Sequence, residues 1–130
     1  MSGHLLDTSV LIAAAEDAGA MDLPATAAIS VVSLGELRAG VLLARGAATA
    51  DARAARLAAI RSAFVAIPVD DAVADAYGAV LAAARAARRL AKATDLLIIA
   101  TAMVTERMLH TRDEAQAGLA GLVGVPVSRP

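Results

Sequence analysis

Five short apolar segments alternate with longer, alanine-rich segments along the chain. Each short segment is too short to form a helix; they are His4–Leu6, Ala28–Val32, Phe64–Val69, Met108–Thr111 and Leu122–Val127. Strands that are apolar nearly throughout are typical of a parallel sheet that helices cover on both faces. The alternation therefore predicts the α/β class, as a small three-layer α/β/α domain with a parallel central sheet and right-handed crossovers.

The alanine-rich segments carry helical patterns. Alanine has the highest intrinsic helix propensity, and 36 of the 130 residues are alanines. Leu57, Ile60 and Phe64 recur at helical spacing with arginines between them, which indicates an amphipathic helix with a basic flank. Asp70 is a suitable N-cap for the next helix. We predict helices over 9–16, 34–44, 44–63, 72–93 and 95–107, and a short turn or helix before the last strand.

Length, charge and hydropathy exclude several classes of protein. A chain of 130 residues without cysteine can fold as one domain, 1–130, without disulfides. The longest apolar run, Leu96–Val104, is too short for a membrane span, which needs about 20 residues. Met1–His4 lacks the features of a secretory signal, so we expect a cytoplasmic protein without membrane contact. A net charge of -1 excludes a basic arm that would bind nucleic acid by charge alone.

Four acidic residues fall near the ends of the predicted strands. Asp7 follows the first strand, and Glu36 lies in the first turn of the helix after the second. Asp95 starts the helix that precedes the fourth strand, and Asp113 follows that strand. In open parallel sheets, ligands bind outside the carboxyl ends of the strands, where loops and helix N-termini converge. We therefore expect the four carboxylates to meet at one edge of the sheet.

Each acid taken alone also has a purely structural explanation. Asp7 and Asp113 suit N-cap or turn positions, and Thr94–Asp95 is a good helix start. Ser33 and Glu36 match the S-x-x-E capping box, in which Glu36 would bond back to the Ser33 backbone. Capping does not explain why all four residues are carboxylates, because serine, threonine and asparagine cap helices as well.

A cluster of four carboxylates needs a cation. Neighbouring carboxylates repel one another and raise one another's pKa unless a positive charge neutralises them. Mg²⁺ or Mn²⁺ suits oxygen ligands, whereas a zinc site is disfavoured because the chain has no cysteine and its only histidines are His4 and His110. Such a site can activate a water molecule for attack on a phosphodiester.

Four motifs resemble those of the PIN domain family and, within it, the VapC-type ribonuclease toxins of bacterial toxin–antitoxin pairs. They are LDTSVLI at 6–12, SLGELRAG at 33–40, TDLLIIATA at 94–102 and TRD at 111–113. The resemblance covers essentially the whole chain in order and spacing. It implies a Rossmann-like α/β/α PIN domain that cleaves RNA with Mg²⁺ or Mn²⁺, is restrained by a cognate VapB-type antitoxin and forms a homodimer.

The resemblance also implies roles for individual residues. The catalytic and metal-binding acids of the family match Asp7, Glu36, Asp95 and Asp113. Hydroxyl groups bordering the site match Thr8, Ser9 and Thr111, with Thr111 the preferred supporting partner of the acids. The helix pair with which relatives grip an antitoxin segment or RNA carries Arg38, Arg45, Arg53, Arg56 and Arg61.

Two segments depart from the family pattern. Many relatives have a glycine between the late helix and the fourth strand, where this chain has Thr105–Arg107. Many have an aromatic residue shortly after the last acid, where this chain has Ala115–Ala117. We expect neither departure to touch a proposed ligand.

The acid cluster and the resemblance together favour an endoribonuclease whose nucleophile is a metal-activated water. The alternative is a catalytically inactive PIN-fold module that holds a protein partner through its arginine-bearing helices. A phosphatase with an aspartyl nucleophile would need a second aspartate at position 9, where the chain has Ser9. His4 and His110 are interpreted as packing residues of the strands, because neither has a paired nucleophile or metal-ligand spacing.

Overall fold

The computed structural model describes residues 3–16, 23–24 and 26–130. Its five strands form one sheet in the order β3-β2-β1-β4-β5, and every pair is parallel. The strands are β1 Gly3–Leu6, β2 Ala27–Ser30, β3 Val65–Ile67, β4 Arg107–His110 and β5 Val127–Ser128. The order reverses at β1, so the carboxyl end of β1 lies at the position where α/β sheets bind ligands.

Helices cover both faces of the sheet. They are α1 Thr8–Glu16, α2 Val31–Leu42, α3 Ala47–Ala63, α4 Asp71–Ala86, α5 Ala93–Thr105 and α6 Glu114–Leu122. Successive strand residues point to opposite faces, and the adjacent Leu5 and Leu6 belong to two separate hydrophobic clusters. Leu6 packs with residues of α1, α2 and α3, and Leu5 with residues of α4, α5 and α6. The predicted three-layer α/β/α architecture is confirmed.

Strand register brings the segments after β1 and β4 side by side. Leu6 pairs with Ile29 of β2 and with His110 of β4. The pairing continues one step beyond the strand, because the backbone N–H of Asp7 donates to the His110 carbonyl at 2.9 Å. Asp7 and Thr111 therefore leave the sheet as neighbours, and both are buried.

The second strand ends two residues earlier than predicted, and the capping box at Ser33 does not form. Ser30 ends β2 and caps α2, since its Oγ accepts from the Val32 N–H at 3.0 Å. The helix therefore begins at Val31, within the segment predicted as strand. Ser33 lies inside α2 and is fully buried, so it does not cap the helix.

Other boundaries also differ from the predictions. The last strand begins at Val127 instead of Leu122, because α6 continues through Leu122 and ends before Gly124, whose φ is +74°. The helix predicted over 72–93 is shorter and ends at Ala86. Asp70 is confirmed as its N-cap, with Oδ1 accepting from the Val73 N–H at 2.9 Å.

None of the helices in the described ranges is both long and apolar enough to cross a membrane.

Candidate active site

Asp7 lies between β1 and α1 and is 4% exposed. Its Oδ2 accepts from the Ser9 N–H at 3.0 Å, and its carbonyl accepts from the Val10 N–H at 3.0 Å, so it caps α1. Capping accounts for only part of its contacts. Oδ2 also accepts from Thr111 Oγ1 at 3.4 Å, and Oδ1 accepts from Gln116 Nε2 at 3.1 Å. Donors from the far end of the chain therefore fix a carboxylate that is almost fully withdrawn from water.

Glu36 lies in α2 and is held by a chain of hydroxyl groups. Thr8 Oγ1 donates to Glu36 Oε1 at 2.8 Å and also lies 2.8 Å from Ser33 Oγ. A hydroxyl has one proton, and an ionised carboxylate can only accept. Thr8 therefore donates to Glu36, and Ser33 donates to Thr8. Because α1 and α2 follow neighbouring strands, this chain of bonds sets Glu36 relative to the end of β1.

Asp113 follows β4 and is the N-cap of α6, with Oδ1 accepting from the Gln116 N–H at 3.1 Å. Its own N–H donates to Thr111 Oγ1 at 3.0 Å. The Thr111 hydroxyl thus joins the Asp113 backbone to the Asp7 carboxylate. Ser9 Oγ accepts from the Arg112 N–H at 3.0 Å and lies 3.4 Å from Thr111 Oγ1, which ties α1 to the same turn.

Asp95 lies in the first turn of α5, and the charges of the other three acids reach it. Burial is the largest cause raising the pKa of Asp95 to about 6, followed by the negative charge of Asp7. Asp113 and Glu36 raise this pKa further, whereas the ammonium group of Lys92 lowers it. The other three predicted acids therefore lie within electrostatic reach of Asp95, at the carboxyl edge of the sheet.

An open cavity of about 400 Å³ borders this edge. Asp95 and Asp113 line it together with Lys92, and the exposed Leu90 and the buried Leu119 supply apolar wall. Lys92 ends the linker between α4 and α5 and is exposed. With both carboxylates ionised this lining is net negative, so a phosphate-bearing ligand would need a cation bound beside the acids.

Gln116 is a site residue that the sequence did not reveal. The expectation that the departure at Ala115–Ala117 touches no proposed ligand is wrong. Gln116 is fully buried and bonds to Asp7 through Nε2 and to Asp113 through its backbone N–H. Gln116 is uncharged, so a search for clustered charges does not find it. Its position three residues after Asp113, the N-cap of α6, is the one feature of the sequence that could have pointed to it.

The chemistry of the donors fits a hard divalent cation. The four acids supply oxygen ligands only, the type that Mg²⁺ and Mn²⁺ prefer. Gln116 Oε1 is a further buried oxygen, and it has no hydrogen-bond partner within the described part of the chain. Across residues 3–16, 23–24 and 26–130, no three acidic or histidine side chains already converge as a set that could hold a metal ion. Binding a cation would therefore require other acidic side chains to turn toward Asp7, whose carboxylate is held by hydrogen bonds on both oxygens.

The predicted partner-binding arginines do not form one uniform surface. Arg38, Arg45 and Arg61 are exposed, whereas Arg53 and Arg56 are half-buried. Arg53 Nη1 donates to the Gly40 carbonyl at 2.8 Å and so links α3 to α2. Arg53 and Arg56 line a cavity of about 420 Å³ between α1 and α3.

The two histidines pack as predicted. His4 Nδ1 lies 2.8 Å from His110 Nε2, and the rings meet edge to face with centroids 4.9 Å apart. Burial lowers the pKa of His110, and the neighbouring His4 lowers it further. The pair joins β1 to β4 and bonds to none of the four acids through its rings.

Comparisons with known proteins agree with this architecture. The PIN domain model matches residues 4–122. Ribonuclease VapC8 of Mycobacterium tuberculosis is 46% identical over 102 residues, which cover 77% of this chain and 90% of that protein. Ribonuclease VapC5 of the same organism is 37% identical over 130 residues, covering 96% of this chain and 93% of its own. A crystal structure from a VapBC-family toxin–antitoxin system, VapBC-5 of M. tuberculosis, superposes with a TM-score of 0.85 at 32% identity and covers 100% of both chains. The chain therefore belongs to the PIN domain family, within its VapC group.

Proposed function

We propose that this protein is a Mg²⁺- or Mn²⁺-dependent endoribonuclease and the toxin of a VapBC-type toxin–antitoxin pair. The observation that carries the proposal is the hydrogen bonding that joins three of the acids at the carboxyl edge of the sheet: Gln116 donates to Asp7 Oδ1, to the Asp95 carbonyl and to Asp113 Oδ1. Carboxylates that repel one another at a sheet edge are typical of a cation site. The relatives named ribonuclease VapC support the same activity.

In this proposal, Asp7, Glu36, Asp95 and Asp113 hold the cation. A divalent cation bound there supplies Lewis-acid activation of a water nucleophile and neutralises charge on the phosphodiester. The side chains of Thr8 and Thr111 keep Glu36 and Asp7 in place through the hydrogen bonds described above. Asp7 is buried and bonded on both carboxylate oxygens, so it is unsuited to attack phosphorus itself.

The same proposal assigns partners. RNA is the substrate, and Lys92 lies where it can contact a phosphate group beside Asp95 and Asp113. A VapB-type antitoxin is the inhibitor, in line with the VapBC complexes among the structural relatives. Arg38, Arg45 and Arg61 are exposed and free to contact the antitoxin or RNA, and a homodimer is the proposed assembly.

Asparagine variants of the acids test the activity. Asp7→Asn retains an oxygen that can cap α1, and Asp95→Asn removes only the charge. Both should abolish Mg²⁺-dependent cleavage of RNA and growth inhibition on induction, while circular dichroism stays that of the parent. Asp75→Asn, on the exposed face of α4, is the matched control and should cleave normally.

The rival function is a non-catalytic module that binds a protein partner. A module of this kind would retain its growth effect in Asp7→Asn and Asp95→Asn, and calorimetry would detect no heat on addition of Mn²⁺. Those two results together would overturn the proposal that the protein is a nuclease.

A further inference from the structure

Gln116 contacts three of the four acids from a single position in α6. Its Nε2 donates to Asp7 Oδ1 at 3.1 Å and to the backbone carbonyl of Asp95 at 3.4 Å. Its backbone N–H donates to Asp113 Oδ1 at 3.1 Å. One residue thus joins β1, α5 and the start of α6 behind the acid cluster.

The orientation of the amide follows from its partners. Both partners of the Gln116 amide, Asp7 Oδ1 and the Asp95 carbonyl, are acceptors, so only the nitrogen can face them. Oε1 is therefore directed elsewhere, where it is buried and has no partner among the described residues. An unsatisfied buried acceptor opposes folding, whereas the bond from Nε2 satisfies an oxygen of the buried Asp7 carboxylate. The part of the amide that is satisfied is therefore the part that faces Asp7 and Asp95.

The contact with Asp7 supplies a reason for the amide at this position. Asp7 Oδ2 has two donors, Ser9 N–H and Thr111 Oγ1, whereas Oδ1 has Gln116 Nε2 as its donor in the described structure. Without that donor, only the hydrogen bonds to Oδ2 would oppose rotation of the Asp7 carboxylate about its Cβ–Cγ bond. We propose that Gln116 is a positioning residue that fixes the Asp7 carboxylate in the orientation needed to bind the divalent cation. This inference rests on the proposed function.

A merely structural role for Gln116 predicts a different behaviour. If the amide only fastened α6 to the sheet, its loss would lower the free energy of unfolding and leave the cation affinity of the folded protein unchanged. Partners that orient a metal ligand typically change metal affinity about 10–100-fold when removed. Cation affinity of the folded protein therefore separates the two roles.

The test uses Gln116→Met, which keeps the length of the side chain and removes the donor. Mn²⁺ binding to the full chain is measured by calorimetry, with folding checked by circular dichroism. We expect Mn²⁺ affinity to fall about 10-fold or more, with kcat for RNA lowered and KM unchanged. Val125→Ala, a truncation in the core near α6, should destabilise the fold and leave Mn²⁺ affinity at the parent value.

Two further variants complete the design. Gln116→Asn, which retains the amide on a shorter side chain, should recover part of the lost affinity. In the double variant Asp7→Asn/Gln116→Met, the second change should add little to the first, because the carboxylate that Gln116 positions is already absent.

The outcomes distinguish this inference from the proposed function. Parent-like Mn²⁺ affinity in Gln116→Met, together with lost affinity in Asp7→Asn, would overturn the role of Gln116 alone. Parent-like affinity in both variants would overturn the cation site itself. If Gln116→Met does not fold, Gln116→Asn takes its place in the test. A Mn²⁺ affinity and a kcat equal to those of the parent in Gln116→Asn would then contradict the role of the longer Gln116 amide in positioning Asp7.

Discussion

Thr8 Oγ1 donates a hydrogen bond to Glu36 Oε1 across 2.8 Å, and this bond joins the first residue of α1 to α2. Ser33 Oγ, 2.8 Å from the same hydroxyl, completes the chain of bonds from within the helix that carries Glu36. The threonine in the motif LDTS thus acts on an acid 28 residues away in sequence. Of the three hydroxyl residues predicted to border the site, Thr8 makes the shortest bond to an acid, whereas Thr111 lies 3.4 Å from its carboxylate.

Replacing Thr8 by valine tests this support of Glu36. The substitution keeps the shape of the side chain and removes the donor to Glu36 and the acceptor of Ser33. We expect kcat for RNA cleavage to fall about 10-fold and the free energy of unfolding in urea to fall by about 1 kcal/mol. Thr49→Val, at an exposed position of α3, is the control. Unchanged kcat in Thr8→Val would show that Glu36 needs no support from this hydroxyl.

Asp95 should make the metal-free protein less stable as the pH rises. Its pKa is raised from 3.8 to about 6 in the folded chain, so the folded state binds this proton more tightly than the unfolded state does. The stabilising contribution of the protonated carboxyl is complete below about pH 4 and is lost as the pH rises through 6. The Asp95→Asn variant has no carboxyl group at this position, so it should not show this loss of stability.

The measurement is urea unfolding of the parent and of Asp95→Asn in a chelating buffer between about pH 4 and 8. The stability advantage of the variant should grow with pH up to about 6–7 and then level off. The lowered pKa of His110 acts in the opposite direction, since its contribution is lost as the pH falls, but it is common to both proteins and cancels in the difference. A constant difference across this range would contradict the shared acid site.

The fold and the acid site were predictable for different reasons. Apolar strands alternating with alanine-rich helices leave few arrangements other than a covered parallel sheet, and the rule for the carboxyl edge then places Asp7, Glu36, Asp95 and Asp113 together. Boundaries were less predictable, because Ser30 and Ser33 are equally suitable caps by residue type. The choice between them depends on packing: Ser33 is buried against Thr8, which the sequence does not show.

The two departures from the family pattern had different outcomes. Gln116 contacts Asp7. This contact could not be predicted from the sequence, because the partners of a side-chain amide are set only when α6 packs on the sheet. Glu106, in the other departure, bonds to none of the four acids and instead ends α5 in the left-handed conformation, with φ 53° and ψ 47°. Glycine is favoured at such a position because it has no Cβ.

Glu106→Gly should therefore stabilise the protein. Relief of the left-handed backbone is partly offset by the greater freedom of glycine in the unfolded chain, so we expect a gain of about 0.5–1 kcal/mol in the free energy of unfolding. Asp75→Gly is the matched control: it also removes one exposed carboxylate, but from the middle of α4, where glycine should cost about 0.5–1 kcal/mol. Thermal or urea unfolding measures both, and a loss of stability in Glu106→Gly would contradict the backbone argument.

Divalent cations should stabilise the protein, and removing them should reverse the effect. A ligand that binds only the folded state adds stability by mass action, about 2.7 kcal/mol at 100 times its dissociation constant. We expect Mn²⁺ to raise the unfolding temperature at neutral pH and a chelator to restore the original value. The shift should shrink toward pH 5, because protonation of Asp95 competes with the cation. Asp95→Asn should show a smaller shift than the parent at neutral pH, whereas Asp75→Asn should match it. Equal shifts in all three proteins would place the cation away from Asp95 and contradict the proposed site.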